Sequence, residues 1–405
     1  MQTPRASAVR PKHFLGRVRR RPTLKECMAS NDIIVVGGGL VGAAIAYGAA
    51  KSGAAVVLLD QGDIAHRASR GNFGLVWLQS KGAGFPRYAR WSRDAIDHWS
   101  TLARELIDLT GVSPGLEQNG GFWLGFSERE VIDRAAMLAD IQATESRSPF
   151  EMLSHDELKA RLPSIGPTVV GGSWCPLDGH ANPLKLLHAL HLGFKLHGGR
   201  ICNGVDVRQV VPLEPGHGFR VMSADGQEWR GQKIVLAAGL NNDTLAPQVG
   251  LHAPVVANRG QVLITERLRK FLPYPTNKAR QTAEGTVQLG FSVEDVGLDD
   301  GTTTTAVEWI AKRAVMTFPI LSSVKLVRAW GALRVMTPDG APIYQESRTF
   351  PGAFTATSHS GVSLAGSHAF EIGPWIAGVR GAPDDVERFA GERFLDPNRT
   401  FTNAH

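Results

Sequence analysis

The 405-residue sequence predicts an α/β fold joined to a second unit of α+β character, and two stretches carry that prediction. In the first, Asp32 to Val36 is a short β-branched run, Gly37-Gly38-Gly39-Leu40-Val41-Gly42 follows, and Ala43 to Lys51 has helical composition; Ala55 to Leu59 is then a second apolar run ending in Asp60. The second lies beyond Pro254, where Gln261 to Thr265 alternates, a turn centres on Gly285 and Val287 to Phe291 resumes, as in an antiparallel sheet. Thr303 to Val315 adds one more helix.

Each residue of the glycine turn has a physical reason. Gly37 makes the bend, Gly39 lets backbone approach a pyrophosphate and Gly42 permits close packing of helix on strand, while the helix N-terminus offers N–H groups and a positive dipole to phosphates. Asp60 stands where an adenosine ribose would be held. Strand, turn, helix, strand and acid in register make a Rossmann-like dinucleotide-binding unit, which does not by itself separate NAD from FAD. From Arg87 to Thr110, Trp91, Ala95, Trp99, Leu102 and Leu106 recur at three- and four-residue spacing, predicting one long amphipathic helix. Phe122 to Phe126 reads as a strand and Ser127 to Thr144 as a helix. Ser154 and Glu157 have capping-box spacing before a short helix that Pro163 stops, and Asn182-Pro183 opens another that reaches about His197. Strands follow from Ile201 to Ala238, with turns around Gly216 and Asp225-Gly226.

Charge excludes one class of function. Residues 1–30 hold eight Lys or Arg against Glu26, and the rest of the chain is near neutral, so no folded basic face for nucleic acid is expected. Three cysteines without CxxC spacing suggest neither a disulfide framework nor a metal centre, and no apolar run is long enough to span a bilayer; the expected setting is a reducing, cytoplasmic one. Residues 1–30 read as a basic leader outside the fold.

Five further segments separate the two cofactors: Ala68-Ser69-Arg70-Gly71-Asn72-Phe73-Gly74, Gly198 to Val207, Val235 to Gly239, Trp330 to Ile343 with its Thr337-Pro338-Asp339-Gly340, and Ala356-Thr357-Ser358-His359-Ser360-Gly361-Val362-Ser363. In order and spacing they resemble the FAD-dependent D-amino-acid oxidase superfamily over about Asp32 to Ile376. The resemblance implies a Rossmann-like FAD-binding domain of glutathione-reductase type, with a second α+β substrate domain built on an antiparallel sheet. It places Gly37, Gly39, Leu40, Val41 and Gly42 at the phosphates and Asp60 and Gln61 at the ribose. Ala68, Ser69, Asn72, Phe73, Gly74 and Leu75 would run along the pyrophosphate and ribityl chain, Val207 would lie beside the adenine, and Ala238 and Gly239 would close over the dinucleotide. Ser360, Gly361, Val362 and Ser363 would open a helix beside the flavin ring, although Ser358 stands where the family has glycine. No cysteine follows Cys202 and no histidine matches a covalent attachment position, so the implied FAD is noncovalent.

The chemistry implied is transfer of a hydride from the amine-bearing carbon to flavin N5, giving an imine, with no dedicated base. Arg334 occupies the position of a carboxylate-clamping arginine; a structural ion pair is the alternative. His359 would touch the flavin or modulate the amine's protonation, or be satisfied by neighbouring backbone. Arg259 and His180 read as structural. Asn72 to Gly82 and Tyr88 to Ser92 are similar to the secondary-amine members of the superfamily, opine oxidase B subunits and D-hydroxyproline dehydrogenases. That likeness favours an N-alkylated or cyclic amino acid and a partner subunit carrying an FMN or iron–sulfur centre. An oxygen-using oxidase, and a flavin-bearing electron-transfer or scaffold subunit, stay open. The expected layout is a cofactor domain of residues 31–80, 151–250 and 325–380, a substrate domain of 81–150 and 251–324, and a tail of 381–405.

Overall fold

The computed structural model describes residues 31–62, 68–143 and 148–396, so the basic leader lies outside the described residues. β1 (Asn31–Val36) and β2 (Val56–Asp60) are joined by α1 (Leu40–Lys51). Next come β3 (Leu75–Val76), α2 (Pro86–Asp97), α3 (Trp99–Thr110), β4 (Gly121–Gly125), α4 (Glu128–Ala143), β5 (Glu151–Ser154), α5 (His155–Arg161), β6 (Gly171–Cys175), β7 (Gly179–His180) and α6 (Pro183–Leu196). β8 (Arg200–Asn203), β9 (Val207–Pro212), β10 (Phe219–Ser223) and β11 (Glu228–Leu236) precede β12 (Val256–Arg267), β13 (Ala279–Gln281), β14 (Thr286–Gly290) and α7 (Thr304–Thr317). β15 (Leu326–Met336), β16 (Ile343–Glu346) and β17 (Ala353–Thr357) complete the sheets.

The larger sheet runs β16-β17-β11-β1-β2-β8, with β9 and β10 as an antiparallel meander on β11. β17, β11, β1, β2 and β8 pair in parallel. Both faces are covered, which is why its central strands are apolar throughout. Ile33, Val35 and Leu58 face the helical side with α1 and α6, and Ile34, Val57 and Leu59 face the meander side with Phe219 and Trp229.

The smaller antiparallel sheet runs β13-β14-β12-β15. On its outer face Leu263 and Leu289 pack on Ile310 and Ala314 of α7. Its inner face turns toward the chain that follows β2. There Trp330 Nε1 donates to the Gly71 carbonyl at 3.2 Å, and the Phe73 and Phe291 rings meet edge to face at 5.9 Å.

Several expectations need correction. The helix expected over Arg87–Thr110 is two helices divided at His98, where Gly366 packs without a side chain against Ala95 and His98. Those helices bury Trp91, Trp99 and Leu106 in the core of the cofactor sheet rather than in a substrate domain. Conversely, β6 pairs with β4 on one side and β5 on the other, and Leu153 and Leu158 join the core under α7, so residues 151–175 pack with the smaller sheet. β15 is also a strand of that sheet. Residues 386–394 are no loose tail: Phe389 is fully buried against Trp91 and Tyr344. The capping box at Ser154 and the Asn182 cap form where their spacing places them.

A buried polar network fixes the segment after β3. Asp178 accepts from Leu78 N (2.5 Å) and Gln79 Nε2 (2.8 Å), and Gln79 Oε1 accepts from Arg134 Nη2 (2.9 Å). Arg134 Nη1 also donates at 2.7 Å to Ser80 Oγ, holding Ser80 in a left-handed conformation (φ 74°) that a side chain disfavours. Burial raises the Asp178 carboxyl from 3.8 to about 7, against the hydrogen bonds and Arg134 that favour its charge. The folded chain therefore binds more protons at Asp178 than the unfolded chain over that interval, and this residue's contribution to stability falls as pH rises through it. Asp178→Asn should gain stability relative to wild type between about pH 4 and 7. Thermal melting of the two proteins across that range would show their difference growing with pH; a constant difference would refute the assignment.

Candidate active site

The site begins where β1 ends. Gly37 adopts φ +103° with its α-carbon against the Ala237 carbonyl, a position no side chain could share. A Cβ on Gly42 would overlap the Gly37 carbonyl, so the two glycines let α1 start directly behind β1. The first turn of α1 then opens on a cavity, where Ser69 Oγ accepts from Leu40 N at 2.9 Å and lies 3.0 Å from where a Gly39 Cβ would stand. At the end of β2, Asp60 accepts from Gly38 N (2.7 Å) and Gly62 N (3.0 Å), which aims its carboxylate at the turn.

One cavity joins most of the expected cofactor residues. Gly37, Gly39, Leu40 and Val41 line it beside Asp60 and Gln61, together with Ala68, Ser69 and Asn72, then Val207, Ala238 and Gly239, and finally His359 and Gly361. Gly361 approaches α1, where its Cβ would lie 3.5 Å from Leu40 Cβ. Asp206, Asn241 and Val335 also line the cavity and were not singled out from sequence, because only folding brings their strand ends and turns to it.

The remaining expected residues do other work. Gly42 packs helix on strand. Ser360 Oγ pairs with Tyr88 Oη (3.0 Å), Val362 lies in the core, and Ser363 Oγ accepts from Trp77 N (3.0 Å) while donating to the Leu75 carbonyl (3.2 Å). Those three side chains tie the loop to the protein instead of lining the cavity. Leu75 pairs with His180, and Phe73 and Gly74 pack on the inner face of the smaller sheet. Arg280, fully buried on that face, donates to the Phe73 carbonyl and lies 3.2 Å from His180 Nδ1. Burial and the adjacent Arg280 push the His180 imidazole down to about 4, so it is neutral near pH 7.

Arg334 stands on the same inner face. Its Nη1 donates to Asn258 Oδ1 (2.7 Å), its Nη2 donates to the Ser292 carbonyl (2.7 Å), and its guanidinium carbon lies 4.7 Å from the Phe291 ring centroid. The guanidinium crosses Gly260, where a Cβ would collide with it. Burial lowers it to about 10, which leaves it charged, and no carboxylate pairs with it directly among the described residues. Strand alternation turns the neighbouring Arg259 to the opposite face, into ion pairs with Glu294 (2.7 Å) and Asp299.

The residues present fit FAD. The glycine cradle would be filled by any side chain, the N–H groups of the first turn of α1 beside Ser69 would meet the phosphates, Asp60 would hold the ribose, and the cavity continues to His359. A Rossmann-type domain facing an antiparallel sheet across such a cavity defines a two-domain flavoprotein. The sequence pattern of the DAO family, FAD dependent oxidoreductase, matches residues 32–378. The chain is 40% identical over 373 residues to the B subunit of opine oxidase from Rhizobium meliloti, covering 90% of this chain and 97% of that one. It is 26% identical to glycine oxidase of Pseudomonas aeruginosa, over 83% and 92% of the two chains. The crystal structure of glycine oxidase from Geobacillus kaustophilus superposes with a TM-score of 0.80 at 22% identity, covering 89% of this chain and 98% of that one. The chain belongs to the DAO family and is an FAD-dependent oxidoreductase.

Gly42→Val should drive α1 off β1 and leave a protein with little flavin, read as a fall in visible absorbance relative to protein. Gly381→Ala, where nothing lies within 4 Å of the added carbon, should keep its flavin. Equal flavin content in both would refute the packing argument.

Proposed function

We propose that the chain oxidises the carbon–nitrogen bond of an amino acid to an imine, a secondary amine such as an opine or D-hydroxyproline being the favoured substrate. The observation that carries this reading is the state of Arg334: charged, largely buried, held flat by Asn258, Ser292 and Phe291, and unpaired with any acid among the described residues. A buried cation so placed is completed by a substrate carboxylate, and its planar fork fixes the orientation of the carbon to be oxidised. Bound FAD supplies the two-electron acceptor. His359, which lines the cavity, touches the cofactor or the substrate amine. The FAD is held noncovalently, a reading that rests on the sequence, in which no cysteine follows Cys202.

The opine oxidase relative is, by name, one subunit of a larger enzyme, which supports a partner protein as the electron exit from this chain, an FMN or iron–sulfur protein being the chemistry required. Among the described residues no helix is long and apolar enough to cross a membrane; the cytoplasmic setting rests on the three cysteines without disulfide or CxxC spacing.

Anaerobic mixing of the flavoprotein with D-amino acids, N-methyl amino acids, D-hydroxyproline and opines should bleach the flavin with the secondary amines. Slow recovery in air identifies a dehydrogenase needing a partner, and rapid recovery with peroxide an oxidase. Arg334→Ala should raise KM about 10- to 100-fold with flavin still bound. Bleaching by none of these amines, or an unchanged KM in the variant, would overturn the reading.

A further inference from the structure

We propose that the Thr357 hydroxyl is a hydrogen-bond partner of the bound cofactor, set on the part of the cavity wall that receives its flavin half. The inference concerns the FAD alone and holds whatever the substrate.

Strand register explains why this hydroxyl is left without a partner. Phe354 and Ala356 join the core on the helical side of the sheet, so by alternation Thr355 and Thr357 point to the meander side. Thr355 lies opposite Leu236, the last residue of β11, and its Oγ1 donates to the Leu236 carbonyl at 3.4 Å. Two residues further along β17, β11 has already ended and its chain has turned into Gly239–Asn241, so no strand carbonyl stands beside Thr357 on that edge. On the other edge its register partner is Ile343 of β16, an apolar residue. Thr357 is 2% exposed, and its Oγ1 is buried with no hydrogen-bond partner among the described residues. A hydroxyl in that state destabilises the fold unless something completes it.

The cavity supplies what would complete it. Thr357 lines the cofactor cavity with Gly239, Leu240, Asn241 and Val335, whereas the other buried unpartnered hydroxyls among the described residues, on Ser92, Ser148 and Ser367, lie away from it. Other polar side chains of the wall already accept from backbone: Ser69 from Leu40 N, Asn72 from Gly74 N at 2.7 Å, and Ser358 from Ser360 N at 2.9 Å. Strand order then says which half of the cofactor Thr357 meets. β17, β11, β1 and β2 are successive parallel strands, so their carboxyl ends open along one edge of the sheet. Along that edge β17 stands ~10 Å from β1, which ends at the glycine turn, and ~14 Å from β2, which ends at Asp60. A dinucleotide with its phosphates at the turn and its ribose at Asp60 would extend its flavin half toward β17. His359, just beyond Thr357, lines the same end of the cavity.

The test reads cofactor retention rather than turnover. Full-length wild type, Thr357→Val and Thr357→Ser are each diluted as the flavoprotein, and the FAD dissociation constant is taken from the fluorescence of released flavin. Valine keeps the shape of threonine and removes the hydroxyl, so Thr357→Val should weaken FAD binding about 5- to 20-fold. Thr357→Ser keeps the hydroxyl and should stay within about 3-fold of wild type. ADP, which carries the adenosine and phosphates without the flavin, is then used to displace FAD, and its inhibition constant should be the same in all three proteins. An unchanged FAD dissociation constant in Thr357→Val overturns the assignment, and so does a loss that serine fails to restore. An equal loss for ADP overturns it as well, because a side chain that only shapes the cavity weakens both ligands alike.

Discussion

The contact on which the rest of the molecule depends is the seating of Gly71 to Gly74 on the inner face of the smaller sheet. Gly71 abuts Ala332, Phe73 lies over Gly290, and Arg280 on that same face donates to the Phe73 carbonyl. This segment leaves the end of the nucleotide-binding strands and touches the strands that carry Arg334. One stretch of backbone thus sets the distance between the cavity and the inner face of the smaller sheet. A side chain at Gly71 or Gly290 would push the sheet away, and Arg334 would move with it.

The electrostatics of that face follow from its packing. Arg280 is buried and bonded to neutral partners, a carbonyl and an imidazole that stays uncharged, and Arg334 likewise leans on an amide, a carbonyl and an aromatic ring. Burial lowers both guanidinium groups without neutralising them. The acids of the neighbouring loop are turned to the other side, where Glu294 and Asp299 hold Arg259. Among the described residues neither inner-face guanidinium is in direct contact with a carboxylate, although Glu117 and Glu284 act on Arg280 and Glu294 on Arg334 from farther away.

What could be read from sequence divides along the same physical line. The glycine turn, its helix and Asp60 were legible because each needs only neighbours in the chain: Gly37 for its dihedral angle, Gly42 for the strand behind it. The capping residues Ser154 and Asn182 were legible for the same reason. Arg334 could be located on a strand, but Asn258 and Ser292, which hold it, could not, because antiparallel pairing 76 residues apart sets that contact. The loop at 360–363 shows the converse. Its resemblance to the family's loop implies a cofactor contact, yet Tyr88, Leu75 and Trp77 claim two of its hydroxyls. The division between domains was misplaced where strands cross it, since β6 pairs with β4 as well as β5 and no local pattern says so. The similarity to known relatives extends across both domains, as the continuous match over residues 32–378 requires.

The segment around Phe389 bears on how such a chain is made. Phe389 fills a gap between Trp91 and Tyr344, and Arg393 grips Asp339 through two hydrogen bonds of 2.8 and 3.0 Å while also donating to the Pro342 carbonyl. β1, made before the other described strands, lies beside β11, and β11 waits for β17. The nucleotide-binding sheet is therefore incomplete for most of synthesis, with its growing edge open, and closes only when the last described turns arrive. Vectorial synthesis thus delivers the glycine turn well before the residues that complete its core, which leaves cofactor capture until residues 386–394 have been made.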